Sequence, residues 1–206
     1  MSQAEQHGGL LPKVIATLWL TTVACTSLTG HTSAEPGPGG AISTPSLSVQ
    51  LPAQHLDGMH TTESTLPDAV AASIEATHPD EVRDVLTSDG FEGATERIYA
   101  GRFGVFARVV LRGWEFRDAQ GASAYLGWLD QNPREWIGEA HQVSAASLPP
   151  SVTLALHEPS GCCHEETPIY LASWQQGEIV WTIRASGPKI RTQPVLDLVT
   201  AVEGKV

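Results

Sequence analysis

Between Thr26 and about Leu66 the chain is built mainly from Ser, Thr, Gly, Pro and Ala, with segments such as EPGPGG, STPSLS and TTEST. Bulky apolar side chains are few and no apolar face repeats. Such a segment cannot bury enough surface to offset the conformational entropy of folding. It reads as a disordered, flexible tether, and His55 and His60 within it read as solvated side chains. A packed core must therefore come from about residues 67–206, one domain by length and long enough to fold without staples.

Upstream lies VIATLWLTTVA, an uncharged run of eleven residues from Val14 to Ala24, preceded by Lys13. It is too short to span a bilayer, which takes about 20 residues, and suits the core of a secretory signal. The run ends in Thr22-Val23-Ala24-Cys25, which resembles the bacterial lipobox, with Thr22 where Leu or Val is usual. The match predicts a signal peptide at 1–24 and a lipid-anchored linker at 25–66. The Cys25 thiol would carry a diacylglycerol. The alternative is a simply cleaved signal that leaves Cys25 as a free thiol.

Charge narrows the partners. The chain carries 12 basic and 23 acidic residues, a net of -11. Removing residues 1–24 takes away Lys13 and Glu5 and leaves that net unchanged. An acidic chain lacks the phosphate-neutralising charge that drives nucleic-acid binding. Anionic headgroups would also repel it, so membrane attachment is expected through the lipid rather than a basic patch. The charge itself serves solubility.

Within 67–206, Pro67-Asp68 opens a helical pattern with Val70, Ile74 and Thr77 one turn apart. His78-Pro79 interrupts it, and Val82, Val85 and Leu86 resume it as far as Asp89-Gly90. Thr95–Ala100 is a short strand candidate. Phe103–Phe116 is the strongest strand, with Phe103, Val105, Ala107, Val109 and Leu111 on one face and a bulge expected at Gly113. Asp118 caps a helix carrying Ala122, Tyr125, Leu126 and Leu129, and Asn132-Pro133 ends it. Alternation at Val152/Leu154/Leu156, Tyr170/Ala172/Trp174 and Ile179/Trp181/Ile183 predicts three more strands, the last two joined at Gln176-Gly177. Pro194 opens a final helix with Val195, Leu198, Val199 and Val202 on one face, ended by Gly204. Hairpin-length links predict an α+β fold: a mostly antiparallel sheet with about three helices packed on it, an α/β sandwich.

The stretch GVFARVVLRGWEFRDAQGASAYL, followed later by GEIVWTIRASGP, resembles small exported lipoproteins of actinobacteria. In those a long strand with an aromatic-charged end precedes a helix opened by Asp-Ala-x-x-Ala, and a late strand ends in a Ser-Gly-Pro corner. Some of their domains resemble the PsbP/Mog1-like α/β/α sandwich. The resemblance covers about the last two-thirds of the chain and carries over no catalytic residue.

The chemically pointed segment is Gly161-Cys162-Cys163-His164-Glu165-Glu166, framed as a loop by Pro159 and Pro168. Three readings stand. Cys162 and Cys163 can form a strained disulfide between neighbours, as thiols outside the cytoplasm tend to oxidise. Alternatively Cys162, Cys163 and His164 can bind a soft metal such as copper or zinc, with His141 or His157 completing the shell. Lastly, one cysteine can be a nucleophile beside His164, although adjacency does not supply triad geometry. The disulfide ranks first and the nucleophile last. His157 is expected to leave its strand on the polar, solvent-facing side.

Trp114, Trp128, Trp136, Trp174 and Trp181 suit either a ligand pocket or the core. Trp181 alternates with core positions. Trp128 lies off the apolar stripe of its helix and Trp136 follows a helix stop, and these two are the candidates for a contact surface. Asp130, Glu135 and Glu139 read as carboxylates on a solvated face. There is no nucleophile elbow, no HExxH, no phosphate-cradling loop and no dinucleotide fingerprint. No catalytic residue and no cofactor are expected. The expected role is a non-enzymatic domain, anchored outside the cytoplasm to a bacterial cell membrane, that binds a partner protein or small molecule. The alternative role is redox or metal handling at Cys162-Cys163-His164.

Overall fold

Strand alternation and helix caps organise the chain, and a computed structural model describes residues 56–159 and 167–206. Among these, seven strands form one sheet: β1 (Met59–Leu66), β2 (Phe91–Phe103), β3 (Phe106–Phe116), β4 (His141–Gln142), β5 (Thr153–His157), β6 (Ile169–Gln176) and β7 (Ile179–Ser186). Their spatial order is β1-β2-β3-β7-β6-β5-β4. Every neighbouring pair is antiparallel. Five helices accompany them: α1 (Ala69–Ser73), α2 (Pro79–Ser88), α3 (Ala119–Gln131), α4 (Arg134–Ile137) and α5 (Thr192–Glu203).

Because side chains alternate across a strand, the sheet has two apolar faces and each takes its own helices. On one face Val109, Leu111, Ala172, Trp174, Trp181 and Ile183 pack against Val195, Leu198, Val199 and Val202 of α5. On the other, Ala94, Trp114, Phe116, Leu171 and Val180 pack under α1 to α4 through Ala72, Val82, Leu86, Tyr125, Leu129 and Trp136. This is the expected α+β sandwich. The two additional helices, α1 and α4, are single-turn pieces: α1 is split from α2 within one broken pattern, and α4 follows the Pro133 stop.

Local signals placed α3 and α5 well. The Asp118 carboxylate accepts from the Gln120 and Gly121 amides, and Asn132 caps the C-terminus. Gly204 closes α5.

Four expectations change. Residues 59–66, expected to belong to the tether, form β1, paired with β2 from Met59↔Gly101 to Leu66↔Ala94. β1 is an edge strand with both faces largely in water, so backbone pairing and Thr side chains hold it without an apolar stripe. The strand expected over 103–116 starts at Phe106: Phe103 ends β2, the chain reverses at Gly104, whose φ of 55° suits glycine, and Phe103 pairs with Phe106. Gly113 sits in regular register between Thr95 and Trp181, and the irregularities lie instead at Phe91/Gly93 and Ala100/Phe103. Finally, Val70 and Ile74 are 61% and 73% exposed, because the first helical turn buries its small residues Ala72 and Ser73 instead.

Candidate functional site

The helix-covered face of the sheet is apolar near α3 and charged further along. On β3 the alternation that brings Trp114 inward also brings Val110, Arg112 and Arg108 to that face. Glu96 of β2 stands opposite Arg112 on one side and Thr182 of β7 on the other. Arg184 stands between Val110 and Leu171.

Arg112 is only 5% exposed. Its Nε donates to Glu96 Oε2 at 2.9 Å, and its Nη2 donates to the same oxygen. Ser64 on β1 donates to the other Glu96 oxygen at 3.3 Å. The guanidinium carbon lies 4.8 Å from the Trp114 ring centroid and 5.5 Å from that of Trp136. A buried cation is thus held by one carboxylate and two indole faces, the arrangement desolvation demands.

A second carboxylate reaches this cluster from residues 74–78, between α1 and α2. Glu75 Oε2 accepts from Arg184 Nη2 at 3.1 Å and from Arg112 Nη2 at 3.3 Å, while Oε1 lies 3.9 Å from Arg108 Nη2. Burial pushes the Glu75 pKa up, but the guanidiniums of Arg184, Arg112 and Arg108 outweigh it and hold the carboxyl below its usual range. Burial lowers the Arg184 pKa, with Glu75 opposing and the like charges of Arg112 and Arg108 adding to the shift. The Trp136 carbonyl accepts from Arg184 Nη1 at 3.3 Å, so α4 also positions this side chain.

Between these groups lies a small gap of about 20 Å³, room for about one water, lined by Val110, Arg112, Trp114, Trp136, Leu171, Thr182 and Arg184. The Trp114 indole N–H donates to Thr182 Oγ1 at 3.0 Å, fixing one wall. Two guanidiniums side by side suit recognition of a small anion. The lining offers no nucleophile paired with a base.

A separate group lies nearby. The Glu135 carboxylate is buried and accepts from the His78 amide at 3.0 Å, with His78 Nδ1 3.0 and 3.1 Å from its two oxygens. With Glu81 these residues place ligand atoms within 4.8 Å of one another, the one such group among the described residues.

Several expected site residues, Cys25, Cys162, Cys163 and His164, lie outside the described residues. His157 is half-buried rather than free, its Nδ1 2.7 Å from the Glu139 carbonyl, and His141 lies exposed on β4. Trp181 is in the core as expected, with Trp114 and Trp174. Trp136 was expected on a contact surface but is 8% exposed, because α4 folds it against Trp114 at 5.3 Å. Trp128 is half-buried and stacked 6.0 Å from Tyr125. Glu135, expected on a solvated face, is buried against His78 for the same reason as Trp136.

The sequence reading missed Glu75, Glu96, Arg112 and Arg184. One signal was available: Arg112 interrupts the inward row Val110-Arg112-Trp114 of the most apolar strand, and a buried charge demands a partner.

Comparison with known proteins adds little. No protein-family model matches the chain, and no curated protein matches it. Among solved structures it is similar to the extracellular domain of PknH from Mycobacterium tuberculosis, with 15% identity and a TM-score of 0.48 over 71% of this chain and 84% of that one. No helix among the described residues is long and apolar enough to cross a membrane.

Proposed function

We propose that this chain is an extracytoplasmic, lipid-anchored binding domain without catalytic activity, and that its ligand is a small anion held in the Arg112–Arg184 cleft. One observation carries the ligand reading: two arginines on adjacent strands converge on a cavity walled by Trp114 and Trp136. Desolvated guanidiniums bind carboxylate or phosphate oxygens more strongly than exposed ones. The anchor rests on the Val14–Ala24 run and Cys25.

Calorimetric titration of the full chain with formate and with inorganic phosphate tests the ligand. Binding of either anion that is lost in Arg184→Gln supports the site. Heats at background for both anions would defeat it. For the anchor, Cys25→Ala or globomycin treatment should release an unlipidated product; unchanged mass and unchanged membrane attachment would remove that part.

A further inference from the structure

We infer that His78, Glu81 and Glu135 form a binding site for one divalent transition-metal ion of the zinc class, which clamps the start of α2 to α4. The inference is independent of the arginine cleft.

The ligands come from two segments 57 residues apart along the chain. Backbone contacts hold these segments together without an ion. The Thr77 amide donates to the Glu135 carbonyl at 2.9 Å, and Thr77 Oγ1 donates to the Arg134 carbonyl at 3.1 Å. The His78 amide donates to Glu135 Oε2 at 3.0 Å. Imidazole and carboxylate are thereby fixed relative to each other, and a hydrogen bond to a ligating carboxylate is the support that metal ligands ordinarily have.

The distances suit one coordination shell. His78 Nδ1 lies 3.0 and 3.1 Å from the two Glu135 oxygens. Two ligand atoms bound to the same zinc ion stand roughly 3.0–3.5 Å apart. Glu81 lies one turn beyond His78 in the first turn of α2, with a carboxylate oxygen within 4.8 Å of both partners. It is exposed, so rotation about its side-chain bonds closes the remaining gap. A Glu at this third helical position often caps the amide at the helix start. Here Glu135 takes the His78 amide, which frees the Glu81 carboxylate for the ion.

Charge points the same way. The Glu135 side chain is wholly shielded from water, whereas those of His78 and Arg134 are 60% exposed. Arg134 Nε stands 3.5 Å from Glu135 Oε1 and is free to swing outward. A dication held between Glu135 and His78 compensates the buried carboxylate at closer range. The donor set names the class of ion. One imidazole nitrogen with two carboxylates suits zinc and its neighbours, whereas magnesium and calcium favour all-oxygen shells. Water completes the shell on the exposed side.

The test is calorimetric titration of the full chain with zinc chloride, with magnesium chloride for comparison. A Cys25→Ser/Cys162→Ser/Cys163→Ser background keeps thiolates from competing, and His78→Gln and Glu81→Gln are made in it. The parent should bind one zinc equivalent, each variant should weaken that binding at least about tenfold, and magnesium should give background heats. Zinc should also raise the thermal midpoint of the parent more than that of either variant, because an ion bound only by the folded chain stabilises it. Both substitutions fall on exposed side chains. Circular dichroism of the metal-free proteins checks their folding, with Glu81→Ala as a second variant. Background heats for zinc in the parent overturn the site. Zinc binding that survives either substitution overturns the three-residue ligand set. Magnesium binding as tight as zinc binding overturns the class of ion.

Discussion

Glu96 and Arg112 stand directly opposite each other on β2 and β3, and each is 5% exposed. Two buried opposite charges in cross-strand register fix where the charged half of this face begins. They also set up an asymmetry. A buried pair contributes little net stability, but deleting one member leaves the other charge uncompensated. Arg112→Met should therefore destabilise the fold by about 3–5 kcal/mol, read as a lower denaturant midpoint. Combining Arg112→Met with Glu96→Leu should recover most of that loss. A double variant as unstable as the sum of the singles would contradict this account.

Glycine inside a helix normally loses to alanine, and α3 should reverse the rule. A Cβ at Gly121 would sit 2.0 Å from the Asp89 carbonyl oxygen, a backbone atom that cannot step aside. Gly121→Ala should destabilise by about 3 kcal/mol through overpacking, against the roughly 0.5–1 kcal/mol gain expected at an open helical site. Gly127, with nothing within 4 Å of its added Cβ, is the matching control and should gain. Thermal unfolding of both variants checks the contrast.

The exposure of Ile74 separates α1 from α2. Ile74→Ala should change stability by less than about 0.5 kcal/mol, as at other surface positions. Leu86→Ala, at a fully buried site on α2, should cost about 2–5 kcal/mol. Equal losses at both positions would mean that the first helix packs as its periodicity predicts.

Glu75 gives a pH signature. Its folded-state pKa lies below the ordinary value of 4.5, because Arg184, Arg112 and Arg108 outweigh the effect of burial. A depressed carboxylate pKa contributes stability that is present above the unfolded value and lost as pH falls through the folded value. Glu75→Gln should therefore be less stable than wild type near neutral pH. The two should converge as pH drops below 4.5. Denaturant unfolding at pH 7 and pH 3 measures it, and a gap that widens in acid would contradict the geometry.

Much of the architecture was legible in the amino-acid order. The Asp118 cap and Asn132-Pro133 stop defined α3, and the alternation at Leu154/Leu156, Tyr170/Trp174 and Trp181/Ile183 marked β5, β6 and β7. These signals are local, since a cap or an alternating face is written within a dozen residues. What tertiary structure alone decided is non-local. β1 has no apolar stripe and exists through its pairing with β2. Val70 and Ile74 have the right spacing for a buried face but find nothing to cover them. Trp136 and Glu135 are buried because α4 folds inward. The cleft joins Glu75 to Arg112 and Arg184, which lie 37 and 109 residues away along the chain. Periodicity shows which side of an element is apolar; only strand register and helix packing determine which charges are brought together and shielded from water.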